Sequence, residues 1–428
     1  MSVMKRRDFL NSGALAAGGA FFTSGLSLAG APARSRPHAR LVLVILRGAL
    51  DGLAAVPPLG DRDYPRLRGE FALRSPGQPQ GALPLDGFFG LHPSLGFLHS
   101  SYGARELVVF HAVASPYRER SHFDGQDVLE NGSTVPHALQ SGWLNRALGS
   151  AAPVGTRQSG VALGQNVPLV MRGPAEVTSW SPSKLAGLDE DTLARITDLY
   201  ARDPLLSVRL ADALAADAMV AQNGRLDAMA QEMAAAPDSP SMSPAASPAP
   251  KSLAPGADRY AEIVHAAAGF LRQESGPQVA VFDTTGWDTH ANEGGAEGQL
   301  AGRLAGLDKG LARLREELGS TWKDTAVLLV TEFGRTAAIN GTRGTDHGTA
   351  TMAFLIGGAV AGGRVIADWP GLSSRALYQG RDLAPTLDLR CVLKGVLDEH
   401  LSVPQRVLDG SVFPGSESVR PLRGLIRA

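Results

Sequence analysis

Gln278-Val279-Ala280-Val281-Phe282-Asp283-Thr284 and Thr325-Ala326-Val327-Leu328-Leu329-Val330-Thr331 are two apolar runs. Runs of this length without polar alternation are expected of strands buried on both faces. Between them Leu300, Leu304, Leu307, Leu311, Leu314 and Leu318 recur at spacings of four and three, which puts them on one face of a helix. That stripe must cover something, and the flanking strands are the surface it fits. Strand, helix and strand in this order form a βαβ unit, so the sheet is at least partly parallel.

Outward from this unit, Leu41–Leu46, Glu106–Val113 and Ala353–Gly358 are further strand candidates. Residues 189–235 are predicted helical, with Gly224 and Pro204 as the breaks after Asp191. Residues 236–256 are rich in Pro, Ser and Ala and are expected to be a flexible linker or surface excursion. Strands before and after it share one buried character. The expectation is therefore one α/β domain over residues 40–425, a single sheet interrupted by a helical insertion.

The chain has 428 residues, 44% hydrophobic and 19% charged, enough to bury a core. Lys+Arg number 41 and Asp+Glu 42, so a nucleic-acid binder relying on a broad basic surface is excluded. The single cysteine, Cys391, excludes an intramolecular disulfide framework and a cysteine-cluster zinc site. The start is an address label: Lys5-Arg6-Arg7-Asp8-Phe9-Leu10, an apolar stretch from Gly13 to Leu28, then Ala29-Gly30-Ala31. Basic start, apolar middle and small-residue exit mark an export signal over residues 1–31, of the twin-arginine kind that passes folded proteins. A periplasmic or secreted location follows as an expectation, with membrane contact only through this signal if it stays uncleaved. Its removal takes the net charge from −1 to about −3, since it carries Lys5, Arg6, Arg7 and Asp8.

In open α/β sheets ligands bind beyond the carboxyl ends of strands. The first strand is followed by Arg47-Gly48-Ala49-Leu50-Asp51-Gly52, and the second by Arg118, Arg120, Ser121, His122 and Asp124. The third leads into Gly286-Trp287-Asp288-Thr289-His290, and the fourth into Glu332-Phe333-Gly334-Arg335. Gly344-Thr345-Asp346-His347-Gly348 precedes the fifth. Carboxylates gathered on one edge repel each other unless a cation or arginines neutralise them. Mixed Asp/His sets suit Zn²⁺, Mn²⁺ or Fe, whereas carboxylate-only sets suit Mg²⁺ or Ca²⁺. Arg47, Arg118, Arg120 and Arg335 could clamp a phosphate or sulfate group.

Each piece also has a plainer account. Asp51-Gly52 is a common turn pair, and Ser121-His122 fits an ordinary loop. In extended backbone Asp288 and His290 share a side. Glu332 ends a buried strand and needs a partner, with Arg335 the simplest one. His38, His92, His99, His137, His265 and His400 lack such company and are expected to be structural or exposed.

The twin-arginine start, Arg47-Gly48-Ala49-Leu50-Asp51-Gly52-Leu53, Arg120-Ser121-His122-Phe123-Asp124-Gly125-Gln126-Asp127, Gly286-Trp287-Asp288-Thr289-His290, Thr331-Glu332-Phe333-Gly334-Arg335-Thr336 and Thr345-Asp346-His347-Gly348 together resemble the DUF1501 family. The resemblance implies an alkaline phosphatase- or sulfatase-like fold, with a mixed, mainly parallel central sheet between layers of helices. It implies divalent metal ligands (Zn, Mn, Mg or Ca) at Asp51, Asp288, His290, Glu332 and His347, with Asp346 beside it, and the strand-end reading adds His122. Ser121 or Ser115 stands where a nucleophile is needed, although neither lies in a phosphatase, mutase or sulfatase nucleophile motif. Cys391 is too far downstream to be a sulfatase cysteine. One metal with a bound water as nucleophile stays open. The expected function is an exported metal-dependent hydrolase of small phosphate or sulfate esters, with Ser121, Arg47, Arg120 and Arg335 as its catalytic groups. The alternative is a non-catalytic secreted binding or assembly protein holding a structural ion or a salt-bridge network.

Overall fold

All five apolar runs are strands in the computed structural model, which describes residues 36, 38–151, 160–182, 190–201, 203–234 and 255–428. The export signal and residues 236–254 of the proline-rich segment lie outside the described residues. Apart from a short two-stranded pair, Leu83–Pro84 and Gly90–Leu91, the strands are β1 (Arg40–Arg47), β2 (Leu107–Ala114), β3 (Gly160–Leu163), β4 (Thr178–Trp180), β5 (Val279–Thr285), β6 (Thr325–Val330), β7 (Thr351–Ile356), β8 (Arg364–Ile366) and β9 (Leu387–Asp388). They form one nine-stranded sheet in the order β8-β2-β7-β6-β1-β5-β3-β4, with β9 beside β2. β1 lies between β5 and β6, parallel to both. Only β7 is antiparallel to its neighbours, β2 and β6. The sheet is therefore mixed and mostly parallel, as expected.

The helices that matter for the site are α1 (Gly52–Ala55), α2 (His122–Asn131), α3 (Glu190–Tyr200), α4 (Pro204–Ala234), α5 (Pro255–Arg272), α6 (Gln299–Leu318) and α7 (Leu389–Leu401). Alternation along β1 assigns the two faces of the sheet. Val42, Val44 and Leu46 pack with α5 and the α6 leucines, while Leu41, Leu43 and Ile45 pack with α7 and Trp143. All six leucines of the α6 stripe are buried. Each contributes roughly 1.5–3 kcal/mol by leaving water. α6 joins β5 to β6 and passes over β1, which is the crossover the leucine spacing predicts. The insertion is the helix pair α3 and α4, and β4 before it and β5 after it belong to one sheet. Among the described residues no helix is long and apolar enough to cross a membrane.

Topology decides what meets at the site. The carboxyl ends of β1, β2, β5 and β6 fall on one edge, and because β7 runs the other way its amino end falls there too. A bulge lies near the end of β2, where Ala112 (φ 54°) interrupts pairing between His111 and Val113. Such bulges re-aim the chain at the end of a strand, here just before the segment leading to His122.

Candidate metal centre

Gly48 follows β1 with φ +117°, and a Cβ there would lie 2.6 Å from the Asp288 nitrogen. The missing side chain lets the 287–288 backbone cross directly above β1. Gly344 does the same on the other side, where a Cβ would come within 2.3 Å of the His290 carbonyl carbon. These close approaches pack the loop after β5 between the end of β1 and the loop before β7. α2 supplies the third part: Ser121 is its N-cap residue and His122 its first helical residue.

His122, Asp288 and His347 offer ligand atoms that all lie within 4.8 Å of one another. The hydrogen bonds behind them fix the tautomers. His122 Nδ1 donates to Glu332 Oε1 at 2.8 Å, and its Nε2 is buried with no hydrogen-bond partner, 3.4 Å from Asp288 Oδ2. His347 Nδ1 donates to the Arg120 carbonyl at 2.9 Å, leaving Nε2 3.3 Å from Asp288 Oδ1. His290 Nδ1 faces Asp346 Oδ1 at 3.2 Å, and its Nε2 lies 2.9 Å from His347 Nε2 and 3.1 Å from Asp288 Oδ1. Three imidazoles thus spend their Nδ1–H outward and turn Nε2 lone pairs toward one carboxylate. Acceptors facing acceptors at 2.9 Å repel unless a proton or a metal ion joins them. A carboxylate or carbonyl behind a histidine is the usual outer support of a metal ligand. Phe333 stacks on His122 at 5.0 Å and lies 5.3 Å from His347, which shields the back of both rings.

The charges follow from these contacts. Burial pushes the Asp288 carboxyl up, but Arg335, donating from Nη1 at 2.7 Å, and the neighbouring histidines hold it below its ordinary value. The hydrogen bond to Glu332 outweighs burial and raises His122. Burial lowers His347 despite its carbonyl partner. Burial raises Glu332, but His122, backbone N–H groups and Gln126 overcome it and keep the carboxyl low. The partner of Glu332 is therefore His122, with Gly48 N–H at 2.8 Å, rather than Arg335.

Several expected site residues face elsewhere. Asp51 caps α1, accepting from Leu53 and Ala54 N–H, and a bidentate Arg68 takes both of its oxygens. Its lone pairs are spent, so it is not free to hold an ion. Arg47 pairs with Glu130 and Asp283. Arg120 pairs with Asp382 and bonds Gln379 at 2.6 Å. Both expected clamps are thus neutralised by acids of the same chain. Arg118 donates to the Ser115 and Tyr117 carbonyls. Asp346 is half exposed and supports His290, while accepting from Asn340 at 3.0 Å. Ser121 sits beside His122, its amide donating to Tyr117 Oη at 3.2 Å, and its hydroxyl makes no cap bond.

Arg68, Glu293, Thr345 and Gln126 carry the support; none is a site residue expected from the sequence, although Thr345 and Gln126 lie inside quoted motifs while Arg68 and Glu293 lie in none. Glu293 is fully buried and Thr345 Oγ1 donates to it at 2.6 Å. Burial and the facing Asp51 carboxylate push its carboxyl well above the ordinary value. Arg335 Nε donates to Thr345 Oγ1 at 3.2 Å, which joins this buried pair to Asp288. Gln126 lies four residues after His122, one helical turn on, within the stretch quoted from Arg120 to Asp127.

The fold and site define a mixed α/β protein with a histidine–aspartate cluster at the carboxyl edge of its sheet. The chain matches the family described as "Protein of unknown function (DUF1501)" over residues 92–412 and belongs to it. A search of curated proteins finds no significant match. Among solved structures the chain is similar to Ps i-CgsB, crystallised in complex with k-i-k-neocarrahexaose, with a TM-score of 0.37 at 10% identity over 90% of this chain and 77% of that one. It is also similar to BT1596, a 2-O GAG sulfatase, with a TM-score of 0.26 at 10% identity over 74% of this chain and 64% of that one.

Proposed function

We propose that His122, Asp288 and His347, with His290 beside them, hold a divalent metal ion, and that the protein is a metal-dependent hydrolase of phosphate or sulfate esters. The observation that carries this is the convergence of three imidazole Nε2 atoms on the Asp288 carboxylate. The histidine share of the set favours Zn²⁺ or Mn²⁺ over Mg²⁺ or Ca²⁺. A bound ion would supply Lewis acidity, polarising an ester oxygen and activating water. The protein's own groups do the placing. Glu332 and the Arg120 carbonyl hold two imidazoles in the tautomer that binds, and Arg335 pins Asp288. The His290–Asp346 pair forms the solvent-facing rim. In the hydrolysis a water oxygen bonds to phosphorus or sulfur as the ester bond breaks, and the alcohol leaves with a proton. Ser121, at the N-cap beside His122, is the serine alternative to that water.

The test is metal analysis of protein exported and folded natively, followed by turnover of phosphomonoesters, phosphodiesters and sulfate esters. Bound metal with His347→Ala-sensitive turnover is expected, and Ser121→Ala separates a serine nucleophile from water by abolishing or sparing activity. Absence of metal, with melting unchanged by chelators, defeats the reading. The neutralised state of Arg47 and Arg120 favours a second reading, a binding protein with a structural ion. Metal without turnover of any ester supports it. We also place the working protein outside the cytoplasm, on the strength of Arg6-Arg7 and the Ala29-Gly30-Ala31 exit. Retention of an Arg6→Lys, Arg7→Lys variant in the cytoplasm is the expected outcome, and unimpaired export defeats it.

A further inference from the structure

A groove of about 760 Å³ lies beyond the carboxyl ends of β3 and β5, bordered by α5 and α6. Trp287 in its wall is the chain neighbour of Asp288, so groove and cluster share one sheet edge. The groove's carboxylate, Asp283, is already paired with Arg47. Its cation is not: Arg303 lies over Gly286, where a Cβ would come within 2.2 Å of its Nη1, and it has no acidic partner among the described residues. The other two arginines of α6, Arg313 and Arg315, pair with Glu317 and Glu106. The Tyr260 hydroxyl in the same wall is buried without a hydrogen-bond partner. Gln165, Asn166 and Gln299 add carboxamides, each both donor and acceptor.

α6 carries a second sign. Glycine disfavours a helix interior, yet three stand in this one. Gly310 has a steric reason, since a Cβ there would meet the Tyr260 ring at 2.0 Å. Gly302 and Gly306 have none within 4 Å, and both line the groove. They leave bare backbone facing open space, which suits a ligand that must come close to the helix.

We propose that this groove binds a polyhydroxylated ring carrying an anionic substituent, as the part of the substrate that is not cleaved. The proposal rests on the cluster being the reacting end. Arg303 meets the anionic substituent through its guanidinium fork. The carboxamides match hydroxyls that both donate and accept, and the bare α6 face accommodates the ring.

The experiment measures direct binding to the full chain in the presence of a chelator, so no turnover is needed. The probes are glucuronate, galacturonate and glucose 6-phosphate against glucose and galactose, followed by calorimetry. At least one anionic sugar is expected to bind about tenfold more tightly than its neutral counterpart. Arg303→Gln is expected to erase that preference. Gly306→Leu, built into open space on an exposed helix face and so compatible with folding, is expected to weaken both about tenfold. No binding of any probe up to about 10 mM overturns the proposal, as does binding that Gly306→Leu leaves unchanged. Binding as expected without ester turnover sustains the groove and defeats the hydrolase reading. Ester turnover with KM untouched by Gly306→Leu does the reverse.

Discussion

Glutamine at position 332 changes the charge behind His122 and almost nothing else. Glu332 is fully buried. Its Oε1 accepts from Gly48 N–H at 2.8 Å, His122 Nδ1 at 2.8 Å and Gln126 Nε2 at 3.2 Å, and its Oε2 lies 3.0 Å from Thr331 Oγ1. A glutamine with its carbonyl oxygen at the Oε1 position keeps the first three. Its amide can donate to Thr331 Oγ1, whose own proton goes to the Leu46 carbonyl at 2.6 Å. The fold should therefore survive, and what disappears is the negative charge on the imidazole's far side. Outer partners of a metal-bound histidine are worth about 10- to 100-fold in metal affinity, or about 1.4–2.8 kcal/mol. Titration of metal-free protein with Zn²⁺ or Mn²⁺ against a chromophoric chelator reads this directly. The pH dependence of the metal-free protein gives a second readout. The Glu332 bond raises His122, so that stability is present below the unfolded histidine value and is lost as pH rises through the folded one. Glu332 itself is held low, so its share is present above the unfolded carboxyl value and is lost as pH falls through the folded one. The advantage of wild type over Glu332→Gln is therefore largest between the two. A Kd within about twofold of wild type, with unchanged melting, refutes the role given to Glu332.

Arg68→Met leaves the buried Asp51 carboxylate without its bidentate guanidinium, and is expected to cost about 3–5 kcal/mol in denaturant unfolding; a loss below about 1 kcal/mol means that the pair is not what fixes Asp51. Burial and Asp51 raise the Glu293 carboxyl, so its contribution is present below the unfolded carboxyl value and fades as pH rises through the folded one. Glu293→Gln should flatten that part of the stability–pH curve, and a curve that keeps its slope excludes the raised carboxyl. Gly48→Ala combines φ +117° with a Cβ 2.6 Å from the Asp288 nitrogen. It is expected to cost about 1–3 kcal/mol and to weaken metal binding by displacing Asp288, whereas unaltered melting and affinity mean that another contact positions that loop.

The parts legible in the sequence are those with a period or an uninterrupted apolar run. The α6 leucines and the five long strands are of that kind, and their burial follows. β3, β4, β8 and β9 are two to four residues long, too short for a pattern to separate them from loop. Strand ends pointed to His122, Asp288, His290 and His347 because in a parallel sheet those ends share an edge whatever the loops do. The same logic gathered Asp51, Arg47 and Arg120, and there it failed for a definite reason. Proximity to an edge does not say whether a charge is free. The partners that use up these side chains are Arg68, Glu130 and Asp382, separated from them by 17, 83 and 262 residues, and no local spacing announces them.

That distinction between spent and unspent charge also explains where a cation belongs. Asp51 faces Arg68, Arg47 faces Glu130 and Asp283, and the Glu293 carboxyl is pushed well above its ordinary value, so these groups are engaged with one another. Around His122, His290 and His347 the account differs. Asp288, Glu332 and Asp346 are three carboxylates, and Arg335 is the one guanidinium bonded to any of them. Two positive charges are wanting, and the imidazoles between the acids can meet that only by taking up protons or by sharing a divalent ion. Burial lowers His347 whereas the Glu332 bond raises His122, and the Nδ1 bonds hold each ring with Nε2 inward. A proton fits the 2.9 Å gap between the His290 and His347 nitrogens as an ordinary hydrogen bond, whereas a single ion would meet all the lone pairs at once. Metal content of the natively folded protein tells the two apart: a stoichiometric ion supports the proposed site, and none means that protons fill the gap.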